Sequence, residues 1–140
     1  MIEYFYEGNF KLSIVNRYTD WISRVIVSEG GLVGNINYIF CEDDYLLAVN
    51  QKHLKHSYFT DIITFDYSDG IEISGDIFIS TERVKENAEN LSIPFEEELL
   101  RVMVHGILHM FGFNDKSDKE RIEMRDKEEE KLKMFHVEQN

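Results

Sequence analysis

The chain has 140 residues, 43% hydrophobic and 30% charged, with a formal net charge of -12 at pH 7. That length suits one domain, residues 1–140, with a proper core, and the composition excludes a disordered polypeptide. A single cysteine, Cys41, excludes an internal disulfide framework and reads as a small buried hydrophobe. No N-terminal stretch has the layout of a signal peptide and no apolar run approaches a membrane span. The expectation is a cytoplasmic protein with no membrane partner. The excess of acid opposes nucleic acid at long range, so contact with RNA requires a local basic patch. Much of that acid lies in Glu96-Glu97-Glu98 and Glu128-Glu129-Glu130, which read as solvated helix faces.

Ile2 to Tyr6 mixes β-branched and aromatic residues and predicts an opening strand. Asn16 to Ser28 predicts a helix with Trp21, Ile22, Val25 and Ile26 on one face, stopped by Gly30-Gly31. Leu32 to Phe40 alternates as a second strand, and Glu42-Asp43-Asp44 opens a helix to about Gln51. Lys52 to Phe59 reads as a loop with two lysines and two histidines. Asp61–Tyr67 and Ile71–Ser80 form a hairpin around Ser68-Asp69-Gly70. Thr81 is placed to cap a helix to about Asn90, and Pro94 to start the next. Ser117 or Asp118 caps a last, highly charged helix that ends near Phe135. The order β-α-β-α-β-β-α-α-α predicts an α+β fold. Its small mixed sheet of about four strands is covered by about five helices, with an extended edge beside the fourth.

That fourth helix carries the chemistry. His105 and His109 are four residues apart, one turn apart on one helix face. Leu100, Val104, Ile107, Leu108 and Phe111 make a buried stripe, and both histidines fall beside it with Glu98 and Arg101. Gly112 can end the helix in a left-handed turn, so Asp115 can return as a third ligand. Two imidazole nitrogens and one carboxylate, in an H-x3-H-x2-G-x2-D pattern, are the donor set of a catalytic metal site.

His105-Gly-Ile-Leu-His-Met-Phe-Gly-Phe-Asn-Asp115 resembles the H-G-x-L-H-L-x-G-Y-D-H signature of the YbeY family of bacterial rRNA-maturation endoribonucleases. Thr60-Asp-Ile-Ile-Thr-Phe65 is similar to that family's T-D-V-L-S-F, Gly75-Asp-Ile-Phe-Ile-Ser80 to its G-D-I-x-I-S, and Asn50 falls at its asparagine. The resemblance implies a single-strand-specific, metal-dependent endoribonuclease that usually holds zinc. It implies action on ribosomal RNA, in maturation of the small-subunit RNA 3′ end and in ribosome quality control, with the ribosome or its small subunit as partner.

Two positions depart from the family pattern. Asp115 stands where the family has a third histidine; a carboxylate also binds zinc, but offsets part of its charge and makes the site harder, so manganese is less easily excluded. Leu54 stands where the family commonly has an arginine, and Lys55, with His56 or His53, is the cation left to hold the RNA backbone. Tyr58 and Phe59 could stack on unpaired bases or pack in the core, and His136 could supply a third nitrogen from the tail. Asp76, assigned to the edge strand, could orient a metal ligand from behind.

No residue stands out as a general base. Two rival readings remain. One is a metzincin-like metallopeptidase, which the spacing fits except that Gly106 replaces the catalytic glutamate, worth of order 10²–10⁴ in rate. The other is a non-catalytic, ribosome-associated metal-binding factor.

Overall fold

The computed structural model describes residues 1–56 and 59–137, with the side chains of all of these except 136 and 137. The predicted element order is the observed one. Strand β1 (Ile2–Tyr6) leads to helix α1 (Val15–Ser28), β2 (Leu32–Cys41) and α2 (Asp43–Val49). After a π-helical segment, Asn50–Leu54, come β3 (Ile62–Asp66), β4 (Glu72–Ser80), α3 (Thr81–Leu91), α4 (Phe95–Met110) and α5 (Asp118–Val137). The expected loop over 52–59 therefore begins later, because the helical path of α2 runs on through Leu54 before Lys55 turns left-handed at φ 56°.

The four strands are ordered β1-β2-β4-β3, with β1, β2 and β4 parallel and β3 antiparallel to β4. Long alternating β2 supplies Ile36, Tyr38 and Phe40 to the main core, where they meet Trp21, Ile22 and Ile26 of α1 and Val104, Ile107 and Leu108 of α4. Two buried polar tips fix the helices. Tyr38 donates through its hydroxyl to the Met103 carbonyl (2.9 Å), and Trp21 Nε1 donates to the Lys131 carbonyl (2.7 Å). The other sheet face carries a smaller cluster of Cys41, Leu46 and Ile63 against Phe65 and Phe78. Burial, followed by the nearby carboxylates, pushes the Cys41 thiol up to about 12, consistent with an inert packing residue.

Details of capping differ from the sequence reading. Ser80 rather than Thr81 caps α3: its Oγ accepts from the Arg83 N–H (3.2 Å) and donates to Asp43 Oδ1 (2.6 Å). Pro94 is the extended residue just before α4, whose first helical residue is Phe95. Ser117 caps α5 reciprocally with Glu120: its Oγ accepts from the Glu120 N–H (3.1 Å), while Glu120 Oε1 accepts from the Ser117 N–H (2.9 Å).

Gly106 is where α4 comes closest to the hairpin. A Cβ there would lie 3.1 Å from Ile62 Cδ1 and 3.2 Å from Ile77 Cδ1 and Cγ2. The missing side chain lets the helix settle onto β3 and β4, which brings the free edge of β3 beside the two histidines.

Candidate metal centre

Helix α4 ends as its sequence expects. Gly112 has φ +93°, its N–H donates to the His109 carbonyl (3.0 Å), and the Phe113 N–H donates to the Leu108 carbonyl (3.1 Å). This pair of bonds is the Schellman closure, which satisfies the last carbonyls and reverses the chain. The reversal carries Asp115 back over the helix end. Asp115 Oδ2 lies 3.2 Å from His105 Nε2 and 3.5 Å from His109 Nε2, and the two Nε2 atoms are 2.9 Å apart. Ligands at 2.0–2.2 Å from one tetrahedral cation stand about 3.3–3.6 Å from one another; the two Asp115 distances match this closely, and the two Nε2 atoms are closer than it. His105, His109 and Asp115 therefore form a donor set that could hold a divalent metal ion.

Burial, followed by the neighbouring His105, lowers the His109 pKa and favours the neutral ring that a metal ligand must be. His105 is held from behind as well. Its Nδ1 lies 2.6 Å from Oε2 of Glu128, a buried residue of α5. Glu128 Oε1 accepts from Arg101 (3.3 Å), and the same guanidinium grips both oxygens of Glu98, which is fully buried. Burial disfavours the Arg101 charge, but the hydrogen bonds and field of Glu98, followed by Glu128, outweigh it and raise its pKa.

This network corrects two expectations. Neither acidic run is wholly a solvated face, since Glu98 and Glu128 are inside, joined by Arg101. Nor does Asp76 stand behind a ligand. It lies on β4, an interior strand, and pairs in register with Asn37 and Phe65 on the face opposite α4, accepting from Asn37 Nδ2 (3.0 Å).

The donors open onto a cleft of about 640 Å³ between the end of α4 and the edge strand β3. Asn50 and Leu54 line one side, Thr60, Asp61 and Thr64 the β3 side, and Lys116 the side beyond Asp115. Burial pushes the Asp61 carboxyl up, with Arg101 followed by His105 pulling the other way. Lys55 and His56 follow Leu54 in the chain but are not among the residues that line this cleft; both are exposed. Phe59 is half-exposed, with the Arg83 guanidinium 5.9 Å from its ring centre. Tyr58 and the side chain of His136 lie outside the described residues.

Sequence reasoning missed Glu128, Arg101 and Lys116. A signal for Glu128 existed: Met124, Glu128, Leu132 and Phe135 share one helical stripe and all are buried. A glutamate at a core position of an amphipathic helix implies a buried partner.

A family model described as "Endoribonuclease YbeY" matches residues 8–136. The chain belongs to the YbeY endoribonuclease family. A Flavobacterium psychrophilum relative named "Endoribonuclease YbeY" is 56% identical over 140 residues, all of both chains. A Phocaeicola vulgatus relative of the same name is 51% identical over 122 residues, 86% of this chain and 88% of its own. The solution structure of a Thermotoga maritima protein is 28% identical, with a TM-score of 0.72 over 99% of this chain and 91% of that one. The Gly106 departure from the metzincin pattern has a steric cause. At that position a glutamate side chain would meet Ile62 and Ile77.

Proposed function

We propose that this chain is a metal-dependent endoribonuclease that cuts single-stranded RNA, with zinc as the resident ion, in maturation of the small-subunit rRNA 3′ end. The observation that carries the reading is the convergence of His105, His109 and Asp115 on one point at the mouth of a cleft, in a chain of this family. Bound there, a divalent cation supplies a Lewis acid for a phosphoryl oxygen and lowers the pKa of a coordinated water.

The protein does the rest. The Nε2 atoms of His105 and His109 face one point at the cleft, and Asp115 closes the third side. The open edge of β3 offers an extended wall that suits a single strand laid along it. Lys116 supplies a full positive charge at the wall next to Asp115, where a backbone phosphate approaches the metal. Leu54, on the side lined with Asn50, gives the cleft an apolar surface where a base can rest. Lys55 and His56, outside the lining, hold the strand further along. Work in ribosome quality control and contact with the small ribosomal subunit follow from the family resemblance.

The test is cleavage of single-stranded and duplex RNA of one sequence, with and without chelator, beside His105→Ala. Cleavage of the single strand, lost on chelation and regained with zinc, supports the reading. A protein that binds zinc and RNA but cuts neither substrate is the non-catalytic ribosome-associated factor instead.

A further inference from the structure

We propose that Glu128 is the positioning residue of the metal centre. It fixes the tautomer of His105 and so makes cation binding depend on how helix α5 is docked. The proposal rests on the metal site proposed above and deepens it.

A neutral imidazole has one proton for two nitrogens. Two carboxylates compete for the proton of His105. Glu128 Oε2 is 2.6 Å from Nδ1 and Asp115 Oδ2 is 3.2 Å from Nε2. If Asp115 wins, Nε2 carries hydrogen and has no lone pair for a metal. If Glu128 wins, the proton sits on Nδ1 and the Nε2 lone pair faces His109 and Asp115. Two features of the fold decide for Glu128. Its contact is the shorter, and its side chain is 2% exposed against 41% for Asp115, so water competes far less for it. Its second oxygen is occupied by Arg101, which Glu98 locks in place on α4. The carboxylate is thus aimed from both sides, by His105 on one oxygen and a guanidinium on the other.

The same contact crosses elements. His105 and Arg101 belong to α4, whereas Glu128 arrives on α5. That helix is held elsewhere by Lys127 and Lys131, which reach Glu29 at 2.9 and 2.6 Å, and by Phe135 in the core. Seating α5 therefore delivers the group that prepares His105, and metal binding draws on that seating.

The experiment compares wild type with Glu128→Gln and Glu128→Ala in the full chain. Zinc affinity is measured against a chromophoric chelator, the His105 tautomer by ¹⁵N ring correlations on metal-free protein, and folding by thermal melting. Glutamine keeps the shape and serves if the alanine variant fails to fold. The expected result is a 10- to 100-fold loss of zinc affinity, the usual cost of removing such a partner, together with a shift of the His105 proton from Nδ1 towards Nε2. Zinc affinity within three-fold of wild type in a folded variant overturns the proposal. So does a fall in affinity with the tautomer unchanged, which would make Glu128 a fold residue only. If His105→Ala binds zinc as well as wild type does, the metal site itself fails, and that outcome is separate from the other two.

Discussion

Replacing Gly106 with alanine sets two effects of similar size against each other. In the interior of α4, alanine is favoured over glycine by about 0.8–1.0 kcal/mol in helix propensity. Against this, the added Cβ would lie 3.1 Å from Ile62 Cδ1 and 3.2 Å from both Ile77 Cδ1 and Ile77 Cγ2. Carbon atoms sit comfortably at about 3.5–4.0 Å, so each neighbour must give way by about 0.3 Å or more. The Cδ1 atoms are the free ends of side chains and can swing. Ile77 Cγ2 cannot, because it is fixed to a branched Cβ on β4, a strand paired on both sides. Overpacking of this kind costs about 1–3 kcal/mol. The cost wins, leaving a net destabilisation of about 0–2 kcal/mol, which for a chain of this size lowers the melting temperature by about 0–7 °C. Thermal melting of metal-free Gly106→Ala reads it directly. Because the strain pushes β3 away from α4, RNA cleavage should fall more than stability does. A variant that melts higher than wild type and cuts RNA at the wild-type rate would refute the close approach of helix and hairpin.

Further predictions concern charge and capping. Lys116→Ala should weaken single-stranded RNA binding and reduce the slope of log K against log salt by about 0.7, the value of one phosphate contact on a single strand; an unchanged slope removes Lys116 from the RNA path. Ser80→Ala, which deletes the α3 cap and the bond to Asp43, should cost about 1–2 kcal/mol, visible as a lower urea midpoint. Glu29 titrates in the acid range. Burial raises its pKa, but hydrogen bonds from Lys131, followed by Lys127, outweigh this and leave it below the ordinary 4.5. Its stabilisation is thus present above pH 4.5 and lost as pH falls through the lower folded value, so Glu29→Gln should flatten the acid limb of the stability curve.

The parts of the site that lie close together in the chain were legible. Histidine spacing, the glycine that reverses the chain and the returning aspartate all act within eleven residues, His105 to Asp115. What could not be read depended on pairing between distant segments. Glu128 meets His105 across 23 residues and Arg101 across 27, and the periodicity of each helix by itself only says which face is polar. A hairpin does not reveal which of its strands pairs inward, so the sequence puts Asp76 on an edge; β2 takes β4 as its neighbour and leaves β3 at the edge. The polar residues of the Lys52–Leu54 stretch read as a loop, yet it continues α2 as a wider helix. The sequence offers Thr81 as the α3 cap, but Ser80, one residue earlier and bonded to Asp43, makes it.

The buried network also bears on how so acidic a chain can approach RNA. Around His105 the carboxylates of Asp115, Glu128 and Glu98 outnumber the guanidiniums of Arg101 and of Arg125, which lies 3.8 Å from Glu128, leaving a net negative charge before Asp61 is counted. A phosphate backbone entering the cleft meets that field at close range, where the protein interior screens it weakly. One divalent cation cancels it. The expectation is that metal supports binding as well as chemistry, with Lys116 adding the last favourable charge. A single-stranded RNA shown by gel to stay intact during the measurement separates the two roles: its affinity, followed by fluorescence anisotropy, should fall when zinc is stripped by chelator and return when zinc is restored. His105→Ala should bind it weakly under both conditions. Equal affinity with and without zinc in the wild type would mean that RNA does not pass over these carboxylates, and that the cleft beside β3 is not its path.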